Sequence, residues 1–191
     1  AQLCCNNGRE LISVKKMGAA RCVGFDGAAG FVADARALAA AGAEFDASFD
    51  IVTITIGVLS WMPDLEPFFA VAARLLRPGG AFFIYEDHPI LAMFKPGPAD
   101  APVEWELSYF SRDPYVSTEG LDYYGDTDYG ALPVTSFMHT MSSIIMAALG
   151  AGFSIEHFEE FPHHISNAWW NVEHAAIGLP MCYTLVLRKA A

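Results

Sequence analysis

The sequence has 191 residues, one domain's worth, of which 53% are hydrophobic and 17% charged. That composition supplies a core and excludes a disordered acidic tail. The 11 basic and 22 acidic residues leave a formal net charge of −11, which repels phosphate backbones, and no apolar run reaches the ~18–20 residues of a bilayer span. Neither nucleic acid nor a membrane is therefore an expected partner.

The chain opens AQLCCNNGREL, which reads as the middle of an element. We expect residues ahead of it, and no signal peptide is visible in it. Gln2 to Cys5 reads as a strand end and Asn6-Asn7-Gly8 as a turn, because Asn and Gly tolerate left-handed backbone. Arg9 to Met17 has helical spacing and stops at Gly18. Arg21 to Phe25 reads as a short strand ending at Asp26, and the Ala-rich run 30–41 as a helix. Phe49 to Gly57 (FDIVTITIG) is β-branched almost throughout, the pattern of a strand buried on both faces. Leu65 to Leu76 predicts a helix stopped by Arg77-Pro78-Gly79-Gly80, and Ala81 to Tyr85 the next strand, closed by Glu86-Asp87. Alternating strand and helix predict a mostly parallel α/β sheet.

From Lys95 to Phe137, Pro, Gly, Asp and Tyr dominate, with one hairpin expected near Glu104 to Phe110. A segment this long without periodicity reads as a functional lid. His139 to Leu149 predicts a helix, and Phe153 to Phe161 and Met181 to Arg188 the last strands. We read residues 1–191 as one domain: a ligand-binding half at 1–95, a lid insertion at 96–138, and a helix with sheet-edge strands at 139–191.

A strand, a tight turn, a helix, a second strand and a terminal acid form a nucleotide-binding βαβ unit, with Asp26 placed to hydrogen-bond a ribose. The turn CCNNG has one glycine where an NAD site needs GxGxxG, so NAD is the weaker alternative. Together CCNNGREL, VGFDGAAGFVADAR, FDIVTITIGVLSWMPD and LLRPGGAFFIYE, in this order over residues 2–90, resemble the class I, Rossmann-like S-adenosylmethionine-dependent methyltransferases. The resemblance implies a doubly wound, mostly parallel sheet with an antiparallel C-terminal hairpin strand and a lid insertion. It implies S-adenosylmethionine as cofactor and methyl transfer to a small molecule, with a binding module that keeps the fold and lacks catalysis as the alternative.

The family's DxGxGxG falls on Gln2, Cys4, Asn6 and Gly8, so Gln2 stands for the acid and Cys4 for the first glycine. The cofactor residues implied are Cys5, Asn6, Gly8, Asp26, Gly27, Ile56, Gly57 and Val58. Thr55 to Val58 would lie beside the cofactor's methionine portion and Trp61 would face the substrate. The family's third strand has no counterpart between the Ala-rich helix and FDIV, where only Gly42 to Ser48 intervene. No adenine-gripping acid is assigned.

A base serves methyl transfer only when the nucleophile has a proton to lose, and histidine suits that role near neutral pH. His139, His163 and His164 are the candidates. The histidine spacings match no zinc pattern, so no metal is expected. Trp61, Tyr109 and Tyr124 are the substrate-facing aromatics. Residues 96–137 carry eight carboxylates and one cation, Arg112. That balance favours a neutral aromatic or amine-bearing acceptor. The four cysteines form no CxxC pair and read as reduced thiols of a cytoplasmic protein. Oligomeric state is not legible.

Overall fold

The computed structural model describes residues 1–5, 9–26, 48–119 and 130–191. Its main sheet contains β1 (Gln2–Leu3), β2 (Gly24–Phe25), β3 (Phe49–Ile54), β4 (Leu76–Asp87), β7 (Phe153–Phe161) and β8 (Cys182–Lys189). The order across the sheet is β2-β1-β3-β4-β8-β7. The strands β1 to β4 run parallel, β8 pairs antiparallel with β4, and β7 pairs antiparallel with β8 and so runs in the direction of the core. A second sheet pairs β5 (Tyr115–Glu119) with β6 (Gly130–Ser136). The helices are α1 (Arg9–Lys16), α2 (Leu65–Leu75), α3 (Met141–Gly150) and the short α4 (Trp170–His174). This is the mixed α/β architecture expected from the alternation of elements.

The helix α2 buries Leu65, Phe68, Phe69, Ala72 and Leu75, the i, i+3, i+4, i+7 face of an amphipathic helix. Asp64 caps it by accepting from the Glu66 amide at 3.0 Å. Phe69 meets Phe82 of β4 edge-on at 5.8 Å between ring centres, and Phe82 meets Phe153 of β7 at 6.0 Å. Thr140 caps α3 in a reciprocal pair with Ser143.

Several expectations need correction. The strand β3 is not buried on both faces: Val52 and Ile54 are buried, whereas Ile51 is 56% exposed. Its buried side packs against the helical layer that carries Phe69. Arg77 to Gly80 do not separate helix from strand. They lie within β4 as a bulge, where the pairing jumps from Phe49↔Leu76 to Ile51↔Ala81. Gly79 has φ +72°, and a Cβ on Gly80 would lie 2.9 Å from the Arg77 carbonyl oxygen. Both glycines are therefore needed there.

Glu86 and Asp87 belong to β4 rather than ending it. The strand expected at 21–25 is only Gly24–Phe25. The helix expected from His139 begins at Met141, because Thr140 takes the capping position. No hairpin forms at 104–110. Trp105 makes a single bridge to Phe94, and the hairpin of this segment is β5–β6. The Ala-rich run 30–41 and the short 42–48 connection lie outside the described residues, save for Ser48.

Candidate active site

The sheet changes direction at β1. From β1 the chain steps outward to β2, then returns to the other side of β1 as β3. In open α/β sheets a ligand crevice lies at such a switch point, beyond the carboxyl ends of the strands. Four features meet that end: Cys4 and Cys5 after β1, Asp26 after β2, the 55–61 turn after β3, and Glu86-Asp87 in β4.

At β1, Cys4 has φ +53°, a left-handed conformation that favours glycine. It occupies the position where the resemblance places a glycine. The Cys5 amide donates to the Phe25 carbonyl at 3.0 Å, which joins the ends of β1 and β2. The approach is close, since a Cβ on Gly24 would stand 2.6 Å from Cys5 Sγ. Asp26 follows immediately and is exposed. Asn6, Gly8, Gly27 and Tyr124 lie outside the described residues.

After β3, Gly57 turns the chain with φ +87°. Ile56 and Gly57 are half-buried and Val58 is buried. A one-turn helix over Leu59–Trp61 follows. The amides of Gly57, Val58 and Leu59 would be left without partners at its start. The Glu86 carboxylate accepts all three: Gly57 at Oε1, Val58 at Oε2 (2.9 Å) and Leu59 at Oε2 (3.0 Å). Oε1 also accepts the Asp87 amide at 3.0 Å. Burial, together with the charge of Asp87, pushes the Glu86 carboxyl up to about 8, against the pull of these amides.

Trp61 is half-buried beside this turn. His139 Nε2 donates to the Met62 carbonyl at 2.8 Å, and the Phe137 amide donates to the Ser60 carbonyl at 2.7 Å. Tyr109 Oη accepts the Met141 amide at 2.9 Å. Trp61, Tyr109 and His139 thus share one neighbourhood, tied by backbone bonds. Burial lowers the His139 pKa, opposed by its bonds to the Met62 and Leu59 carbonyls.

The other two histidines lie elsewhere. His164 Nε2 donates to Asp87 Oδ1, and its Nδ1 accepts the Ser166 amide at 3.0 Å. Its side chain is fully enclosed. Burial pulls its pKa down, but the hydrogen bond and charge of Asp87 outweigh burial and the net shift is upward. His163 is exposed after β7, and its carbonyl accepts from Cys182 Sγ. Among the described residues no group of three His, Cys, Asp or Glu is placed to hold a metal ion.

The sequence reading missed the roles of Glu86 and Asp87. The available signal was alternation: Glu86 shares the buried face of Phe82 and Ile84, and a carboxylate continuing an apolar face needs partners.

Residues 1–84 match the family model described as methyltransferase domain. The chain has the class I S-adenosylmethionine-dependent methyltransferase fold. A solved S-adenosylmethionine-dependent methyltransferase from Mesorhizobium loti is 23% identical, with TM-score 0.65, covering 98% of this chain and 89% of that one. A structure described as a putative S-adenosylmethionine-dependent methyltransferase, from Listeria monocytogenes, is 15% identical, with TM-score 0.67, covering 100% and 90%. The glycopeptide N-methyltransferase MtfA, solved with S-adenosylmethionine, is 14% identical, with TM-score 0.56, covering 100% and 80%. No curated protein matches the sequence. Within this fold, Asp26, the Cys4-Cys5 strand end and the 55–58 turn lie at the carboxyl ends of β2, β1 and β3. The exposed Asp26 carboxylate offers a hydrogen-bond acceptor at that end, and Cys4 and Gly57 carry the positive φ that turns the backbone there, which is compatible with the cofactor.

Proposed function

We propose that the protein transfers a methyl group from S-adenosylmethionine to a small neutral aromatic or amine-bearing molecule. The observation that carries this reading is the convergence of Asp26 and the 55–58 turn at the carboxyl end of the parallel strands, with Trp61, Tyr109 and His139 on the segments that follow. When bound, S-adenosylmethionine supplies a methyl group on a sulfonium sulfur.

Asp26 would accept the ribose hydroxyls. Cys5, with Asn6, Gly8 and Gly27 of the undescribed stretches, would line the turn under the cofactor. Ile56, Gly57 and Val58 would lie along its methionine portion. Trp61, Tyr109 and Tyr124 would hold the acceptor, and the 96–138 segment would act as the lid that excludes water. For the base, His139 is favoured over His163 and His164. Its Nε2–H is fixed on the Met62 carbonyl, which leaves Nδ1 as the acceptor. Burial keeps it neutral near pH 7, as a base requires. Both nitrogens of His164 are engaged by protein.

The acceptor's charge is inferred from the lid. Asp100, Glu104, Glu106 and Asp113 are exposed, so they act through their field rather than by contact. An anionic acceptor would meet that field with only Arg112 of the segment to offset it. Cytoplasmic residence belongs to the same reading, supported by the absence of a disulfide among the four cysteines. Among the described residues no helix is long and apolar enough to cross a membrane.

The strained Cys4 favours a second reading, a methyltransferase fold that binds the cofactor without catalysis. A thermal shift tests cofactor binding against the NAD alternative. A ligand that binds only the folded state stabilises by about 2.7 kcal/mol at a hundredfold excess over Kd. S-adenosylhomocysteine should stabilise the protein and NAD should not. A panel of acceptors then tests turnover. Amines or neutral phenols should be methylated faster than carboxylates or phosphates. Preference for anionic acceptors would overturn the lid's role, and binding without any turnover would favour the second reading.

A further inference from the structure

The Glu86 carboxylate is buried, 3% exposed, at the end of β4. It accepts four backbone amides, three of them from the turn after β3. Among the described residues no hydrogen bond or ion pair brings a Lys or Arg to it. Its charge is compensated by amide dipoles alone. Four donors on two oxygens suit an ionised carboxylate. A protonated carboxyl would turn one oxygen into an O–H that faces N–H groups and finds no acceptor there.

The other holds on this turn act from a different side. Ser60 Oγ donates to the Gly57 carbonyl at 2.9 Å, and the Trp61 amide donates to the Val58 carbonyl at 3.1 Å. Phe137 and His139 grip Ser60 and Met62. None of these touches the amides of Gly57, Val58 and Leu59.

We propose that Glu86 is a positioning residue for cofactor binding: its ionised carboxylate fixes the 57–59 turn in the shape that receives the cofactor, so affinity depends on charge at this buried position. The inference rests on the reading of the crevice as the S-adenosylmethionine site. The groups that face Glu86 are Asp87 on its own strand, the Tyr183 phenol on β8, and the turn, which has no titratable side chain from Gly57 to Trp61. Tyr183 is fully buried, and burial raises its pKa first, with Glu86 and Asp87 adding to the rise. It therefore stays neutral over the working range. Ionisation of Glu86 is centred near pH 8, so the turn tightens as pH rises through that value.

The test is calorimetric titration of S-adenosylhomocysteine into wild type, Glu86→Gln and Asp26→Ala at pH 6.5, 7.5 and 8.5. Glutamine keeps the volume but aims an NH2 at amide donors. Wild-type affinity should rise with pH. Glu86→Gln should bind on the order of tenfold to a hundredfold more weakly at pH 8.5 and lose the pH dependence. Asp26→Ala should weaken binding at every pH and keep the wild-type slope. Equal affinities and equal slopes for wild type and Glu86→Gln would overturn the proposal while leaving the cofactor reading intact. Failure of wild type to bind at any pH would overturn both. If Glu86→Gln does not fold, Glu86→Asp decides: its shorter carboxylate cannot reach all three turn amides, so weaker S-adenosylhomocysteine binding at pH 8.5 supports the clamp, and wild-type affinity refutes it.

Discussion

Cys4 holds a conformation with φ +53° that a β-carbon makes costly, and the cost is set by the side chain's shape. A β-branched residue is least tolerated there, whereas Asn visits this region readily. Cys4→Val should lower stability by about 1–3 kcal/mol and Cys4→Asn by much less, read from urea midpoints. Similar midpoints for both would mean that the strand end relaxes to negative φ. Asp26 makes the complementary case, since it is exposed and carries little packing. Asp26→Ala should leave the unfolding midpoint unchanged and weaken S-adenosylhomocysteine binding by roughly 1.5–3 kcal/mol, the worth of a charge-assisted hydrogen bond. Unaltered affinity by calorimetry would remove Asp26 from the ribose site.

Among elements, the bulge at the start of β4 shows why LLRPGG takes the form it does. Gly79 supplies positive φ, and Gly80 sits where a Cβ would crowd the Arg77 and Asp50 carbonyl oxygens and Leu76 Cδ2 at 2.9–3.1 Å. Two of these three atoms are backbone and cannot step aside cheaply. Gly80→Ala should destabilise by about 1–3 kcal/mol. Gly150→Ala, with nothing within 4 Å of the new Cβ, should be neutral or slightly stabilising. A Gly80→Ala protein as stable as Gly150→Ala would show that the bulge re-forms. The helix α2, β3, β7 and β8 were legible because each has a strong period or β-branched run bounded by Gly, Pro or acids. The β5–β6 hairpin was not, because its strands are parted by residues 120–129, too many for a recognisable tight turn. The same limit hid the site's wiring. Glu86 and its turn are 27–29 residues apart, and Asp87 and His164 are 77 apart. Local pattern assigns both acids to a strand end but cannot show what they hold.

For the whole molecule, the buried titratable groups set how stability responds to pH. Burial first, then Asp87, raises Glu86 from 4.5 to about 8. The native state therefore holds a proton that the unfolded chain releases, and stability from this group is present below pH 4.5 and lost as pH rises through 8. His164 is also raised, with burial opposing and the Asp87 pair prevailing, so its contribution is present below 6.5 and lost above its native value. His139 and His88 are lowered by burial. Their contributions are full above 6.5 and vanish only as pH falls through their native values, so they do not act on the alkaline side. Between pH 6.5 and 8.5 the two raised groups act together, and the thermal midpoint should fall. Net charge of −11 adds self-repulsion in the same direction, and salt separates the two causes. Added salt should screen the surface repulsion and leave the effect of buried Glu86. In 0.5 M salt, wild type should still lose stability from pH 6.5 to 8.5, whereas Glu86→Gln should lose distinctly less. A wild-type midpoint that stays level in salt would mean that Glu86 titrates near its ordinary value. The clamp would then be ionised throughout, and cofactor affinity would no longer vary over this interval.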